Sequence, residues 1–179
     1  MVRYRTLKGR LRLVPVLSMV MVISMVAGCI NSDFSDEQKK VQDKVTKPAI
    51  DFTVTDIDGK NFTLSNQSGK VVLLEFMWVS CPACDTMIPI LKNINSNYDI
   101  VILEISVEPL DTFKDLKDYK KNNDVPWNFA KDNNGTLKSA YSVEAAPTFY
   151  LVAKNMTVAW GHVGSCDEKT SRTEINKII

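Results

Sequence analysis

Two cysteines separated by two residues, Cys81 and Cys84, are the residues best suited to chemistry in this chain. A C-x-x-C pair supports either of two chemistries, a dithiol that closes reversibly into a disulfide or half of a zinc site. The surroundings favour the first. An apolar run, Val71-Val72-Leu73-Leu74-Glu75-Phe76-Met77-Trp78-Val79-Ser80, ends at the pair. A helical pattern begins at once, with Met87, Ile88, Leu91 and Ile94 at three- and four-residue spacing. Unpaired N–H groups at a helix start favour a thiolate and lower the pKa of the leading cysteine.

The elements that must position this pair follow from the pattern on either side. A strand over 71–78 delivers it, and a helix over 82–97 carries it, with Pro82 tolerated in the first turn and Pro89 expected to kink the interior. Upstream, Phe52 and Val54, the Asp58-Gly59 turn, and Phe62 and Leu64 predict a short hairpin. Downstream, the chain reads as a buried strand over 100–107 and a helix marked by Phe113, Leu116 and Tyr119 that ends near Asn122-Asn123. A short helical turn near Leu137, Ala140 and Tyr141 comes next. Strands over 148–153 and 156–163 meet at Lys154-Asn155, and a closing helix carries Ile175, Ile178 and Ile179. This order, β-hairpin, β, α, β, α, short α, β, β, α, describes an α/β sheet covered by helices on both faces.

Length and composition fit that reading. A chain of 179 residues holds one ordinary domain and a tail, and 45% hydrophobic with 24% charged residues is the balance of a globular protein. The formal net charge of +1 conceals an asymmetry, because Arg3, Arg5, Lys8, Arg10 and Arg12 precede any acid. Without residues 1–28, 17 basic residues face 21 acidic ones, and a mildly acidic domain has no footprint for nucleic acid. The basic start leads into a run over 13–27 that is apolar except for Pro15, Ser18 and Ser24, which fits an export signal and is short for a membrane span. Its end, Val26-Ala27-Gly28-Cys29, resembles the lipobox of prokaryotic lipoproteins. That resemblance implies cleavage after Gly28 and a lipid on Cys29, tethering the domain to the outer face of the membrane; an uncleaved signal anchor is the alternative. Both place the domain outside the cytoplasm. Residues 29–47 read as a polar tether in which Ser35 and Gln38 could cap one short helix, and the domain proper spans 48–179.

Four features together resemble the thioredoxin superfamily: Gly69-Lys70-Val71-Val72-Leu73-Leu74, Cys81-Pro82-Ala83-Cys84, Pro89 five residues on, and Ala146-Pro147-Thr148 before a strand. The hairpin and the export signal narrow the resemblance to the extracytoplasmic TlpA/ResA-like branch, over residues 48–179. It implies a thioredoxin-like α/β fold, with a central mixed sheet, helices on both faces and an added N-terminal β-hairpin. It also implies a thiol–disulfide oxidoreductase with no bound cofactor or metal. Such an enzyme acts on protein disulfides or dithiols, commonly as a reductant, and is recharged by a membrane electron carrier.

Position by position, the resemblance makes Cys81 the exposed nucleophile and Cys84 the buried resolving thiol of the redox-active disulfide. Pro147 matches the cis-proline beside the dithiol, and Ala146 the residue whose backbone meets an extended substrate. Trp78, Pro82 and Ala83 fall on the substrate-facing surface. Glu75, six residues before Cys81, matches a buried acid; in an apolar strand its charged form is disfavoured, so it could take and return the proton of Cys84. Strand alternation also leaves open a solvated face for it. Two departures stand out: Ser80 replaces the family's tryptophan, and Phe76-Met77-Trp78 replaces Phe-Trp-Ala. Pro82 and Ala83 also lack a side chain able to stabilise a thiolate.

Cys166 is left over, and an exported chain with an odd cysteine raises the idea of an accessory thiol near the substrate groove. An inert, partly buried thiol is the plainer alternative. His162, the only histidine, falls on a strand, where a structural role is expected. Copper-delivery relatives of this fold suggest a rival site from Cys81, Cys84 and His162, although those relatives place three residues between their cysteines.

Overall fold

The computed structural model describes residues 32–179, so Cys29 and the export signal lie outside the described residues. At its centre is a strand, β3 (Val71–Met77), whose seven side chains are all buried. That is the outcome expected of an apolar run covered on both faces. Alternation sends Val71, Leu73 and Met77 into one apolar cluster and Val72, Leu74 and Phe76 into the other.

Numbering in chain order, the remaining elements are α1 (Ser32–Gln42), β1 (Thr53–Thr55), β2 (Asn61–Thr63), α2 (Pro82–Asn97), β4 (Ile100–Ser106), α3 (Phe113–Asn123), β5 (Asn128–Lys131), α4 (Thr136–Ala140), β6 (Thr148–Val152), β7 (Val158–Val163) and α5 (Glu168–Asn176). Five strands form one mixed sheet in the order β5-β4-β3-β6-β7. β3, β4 and β5 run parallel, and β6 and β7 are antiparallel to their neighbours. α2, α5 and the buried Leu116 and Tyr119 of α3 cover one face. Val41 of α1, Leu137 of α4 and the hairpin residues Phe52 and Phe62 cover the other. This is the thioredoxin-like fold that the resemblance implied.

The hairpin β1–β2 pairs Val54 with Phe62, and its turn is built as Asp58-Gly59 suggested. Gly59 takes φ +80°, while the Asp56 carboxylate accepts the N–H groups of Asp58 and Lys60 at 2.9 and 2.8 Å. The hairpin abuts the β5 edge of the sheet through a bridge between Asp56 and Ala130.

Three features depart from the sequence reading, the smallest being that α5 ends at Asn176, so Ile178 and Ile179 lie beyond the closing helix. β5 escapes that reading, because Asn128-Phe129-Ala130-Lys131 is short and its pairing depends on β4 alongside it. The stretch read as a tether also carries structure. α1 is docked through Val41, which is 1% exposed, and through Gln38, whose side-chain amide donates to Gly161 O at 3.2 Å and accepts from Val163 N at 2.8 Å. Thr46 and Lys47 then exchange hydrogen bonds with Val158 at 2.8 and 2.9 Å. Residues 38–47 therefore cover the outer edge of β7, a strand that would otherwise present unpaired backbone groups.

Candidate functional site

β3 ends at Met77, and the linker that follows is held by Asp111, whose Oδ2 accepts from Val79 N at 2.9 Å and from the Ser106 hydroxyl at 2.6 Å. Cys81 then stands at the N-cap of α2, where Cys84 N–H donates to its Sγ at 3.1 Å. Pro82 occupies the first turn, where its missing N–H costs nothing. Cys81 and Cys84 are joined by a disulfide with their Cα atoms 5.2 Å apart. Once reduced, Cys81 would face the unpaired N–H groups of the first turn of α2, which favour its thiolate.

The Ala146–Pro147 peptide is cis, as the resemblance implied, with Pro147 buried and Ala146 half-buried immediately before β6. Pro82 is exposed, and Trp78 and Ala83 are half-buried. One expectation is corrected. Cys81 is only 3% exposed, close to the 1% of Cys84, because the bonded pair sits in the apolar cluster with Trp78, Val79, Ala83 and Ala146 packed against it.

Glu75 points inward and is 1% exposed. Leu73 and Met77, which flank it on the same face of β3, share the cluster that holds Cys81 and Cys84. Sequence reading missed its neighbour Glu104, which lies directly beside it in the β3–β4 register and is just as buried. Trp127 Nε1 donates to Glu104 Oε1 at 2.6 Å. Among the described residues, Glu104 Oε2 and both oxygens of Glu75 have no hydrogen-bond partner. Burial, reinforced by the Glu104 charge, holds the Glu75 carboxyl well above the usual carboxylate range. Burial likewise pushes Glu104 up to about 8, with the Trp127 N–H opposing and the Asp85 charge adding to the shift. The signal for Glu104 was a lone acid inside the apolar run over 100–107, at the same alternation parity as Ile102.

Asp85, directly after Cys84, is exposed and accepts from Tyr119 OH of α3 at 2.8 Å. Burial, together with that hydrogen bond, raises the Tyr119 pKa and keeps the phenol protonated.

The loop after β7 reaches the same end of α2. Ser165 Oγ donates to Ala83 O at 3.1 Å, and Cys166 N donates to Met87 Sδ at 3.4 Å. Cys166 is a free, half-buried thiol 3.1 Å from Ser171 Oγ, and burial pushes its pKa up. His162 stacks on Trp160 with ring centroids 5.4 Å apart, and its Nε2 lies 3.3 Å from Ser165 O. No group of three or more His, Cys, Asp or Glu side chains placed to hold a metal ion occurs among the described residues.

Comparison with known proteins agrees with this geometry. The AhpC/TSA family profile matches residues 45–161. The thiol-disulfide oxidoreductase ResA of one Bacillus cereus strain is 27% identical over 172 residues, spanning 96% of this chain and 98% of its own. ResA of a second Bacillus cereus strain (ATCC 10987 / NRS 248) is 30% identical over 123 residues, 68% of this chain and 69% of its own. Among solved structures, the pneumococcal exposed lipoprotein thioredoxin of Streptococcus pneumoniae strain TIGR4 superposes with a TM-score of 0.62 at 23% identity, over 72% of this chain and 100% of that one. A disulfide at a helix N-terminus and these relatives lead to one assignment: the chain belongs to the AhpC/TSA family and is a thiol–disulfide oxidoreductase of thioredoxin-like fold.

Proposed function

We propose that the protein is a membrane-tethered, extracytoplasmic reductant of protein disulfides, working through the Cys81–Cys84 couple. The observation that carries this reading is the Cys81–Cys84 disulfide at the start of α2, directly after a central strand, β3, that buries an acid. In the reduced protein, the Cys81 thiolate attacks one sulfur of a partner's disulfide and releases the partner's other sulfur as a thiolate, which takes a proton from water. Cys84 then gives its proton to Glu75 and attacks Cys81 Sγ, breaking the mixed disulfide, and the partner's second sulfur leaves as a thiolate that takes a proton from water. The partner leaves as a dithiol, and its two electrons have come from the Cys81–Cys84 pair. Ala146 presents its backbone to the partner chain, and Trp78, Pro82 and Ala83 form the rim around the sulfurs. A membrane electron carrier restores the dithiol. With Cys81 this little exposed, a partner must first displace part of that rim.

The location rests on the Val26-Ala27-Gly28-Cys29 lipobox and on the likeness to an exposed lipoprotein thioredoxin. No described helix is long and apolar enough to cross a membrane. Copper delivery through Cys81, Cys84 and His162 draws no support from a His162 ring stacked on Trp160. The test is reduction of insulin disulfides: Cys81→Ser should abolish turnover, and retained turnover would remove the mechanism.

A further inference from the structure

In the row of residues that crosses the sheet at Glu75, register places Phe129 of β5 beside Glu104, Glu104 beside Glu75, and Glu75 beside Phe149 of β6. Side chains paired in register share a face, so two carboxyl groups lie between two aromatic rings. Within that row each acid has the other as its only polar neighbour. The described residues hold three buried side-chain oxygens without a hydrogen-bond partner, and all three belong to this pair. A native core seldom leaves such groups unpaired without a role for them.

We propose that Glu104 is a positioning residue for the exchange reaction, completing with Glu75 a two-carboxyl relay that carries the Cys84 proton away from the sulfurs. The inference rests on the proposed role of Glu75. A buried Glu75 that already holds a proton is no base until that proton has somewhere to go. Glu104 supplies the place. Trp127 fixes its Oε1 and leaves Oε2 to receive the proton. As Cys84 Sγ–H gives its proton to one Glu75 oxygen, the proton on the other passes to Glu104, and the Cys84 thiolate attacks Cys81 Sγ, breaking its bond to the partner's sulfur, which leaves as a thiolate and takes a proton from water. No electrons move through the carboxyls.

The Phe129 ring packs against Tyr119 with centroids 6.0 Å apart, and Tyr119 OH donates to the exposed Asp85. The titratable groups around the pair are Cys84 and Asp85 from α2, Tyr119 from α3, Cys166 from the loop before α5, and His162 behind Phe149 on β7. Of these, Asp85 is the one carboxylic acid; it is exposed, and its charge acts on Glu104. The elevated pKa of Glu104 agrees with a proton acceptor that becomes available near neutral pH.

A chromogenic aromatic disulfide, dithiobis-nitrobenzoate, separates the two chemical steps. Attack by Cys81 releases one equivalent of coloured thiolate and leaves the other bound to Cys81; resolution by Cys84 releases the second. Stopped-flow absorbance across the pH range yields both rate constants, and thermal unfolding of each oxidised variant checks the fold. In Glu104→Gln the ratio of second to first rate constants should fall roughly tenfold near pH 8, and the wild-type rise of that ratio with pH should disappear. Trp127→Phe keeps the carboxyl but loses the N–H that favours its charge, so the rise should move to higher pH. An unchanged ratio and profile in Glu104→Gln would overturn the relay. Release of a single equivalent by the wild-type protein would instead overturn the two-cysteine mechanism beneath it.

Discussion

Glu104→Gln also makes a prediction about stability, because it removes one buried titration while keeping an oxygen for the Trp127 N–H. Burial holds the Glu104 carboxyl at about 8 against an ordinary 4.5, so the folded chain keeps a proton that the unfolded chain loses. Stability from this group is full below about pH 4.5, falls as the pH rises toward about 8, and levels off once both states are ionised. The gap of about 3.5 units, at about 1.36 kcal/mol each, amounts to about 5 kcal/mol. That is large beside the roughly 5–15 kcal/mol by which native domains are stable. The variant should therefore match the natural protein near pH 4 and exceed it by a margin that grows toward about 5 kcal/mol at pH 8 to 9. Urea unfolding of the oxidised protein across this range, followed by tryptophan fluorescence, measures the margin. A constant offset between the two curves would refute a buried titration at Glu104. A variant less stable at pH 8 would refute the claim that ionising this carboxyl costs stability.

Two further outcomes test other parts of the account. A Cβ added at Gly161 would stand 2.5 Å from Val41 Cγ1 and 3.3 Å from Val41 O, so Gly161→Ala should cost about 1–3 kcal/mol in urea unfolding and expose α1 to limited proteolysis; unchanged protection of α1 would argue against its docking. The Cys81–Cys84 couple should equilibrate with thioredoxin-type redox buffers near about −270 mV, as a reductant does, and a value near about −120 mV would reverse the proposed direction of electron flow.

The sequence was most informative where one stretch meets its own requirements. The run over 71–77 is apolar at both parities, Pro82 is suited to a first helical turn, and the two together announced the β3–α2 junction before any contact was known. Pro147 was legible only through the resemblance, since nothing in Ala146-Pro147-Thr148 by itself distinguishes a cis peptide from a trans one. What stayed hidden depends on neighbours distant in the chain. Alternation within β4 could mark Glu104 as inward-facing, but only the β3–β4 register places it beside Glu75. β5 has one large apolar residue, Phe129, and becomes a strand by pairing with β4. α1 has few apolar residues, and its docking through the Gln38 amide and the space left by Gly161 is a tertiary fact. The low exposure of Cys81 is another, because the apolar cluster that buries it draws on residues from distant elements as well as from α2 itself.

The central claim is that Cys81 attacks and Cys84 resolves. Mass-spectrometric mapping of the adduct formed when reduced Cys84→Ser protein meets a disulfide-containing protein tests it most directly. The account predicts a stable mixed disulfide through Cys81, with no such adduct in Cys81→Ser. An adduct through Cys166, or equal trapping in both variants, would contradict it.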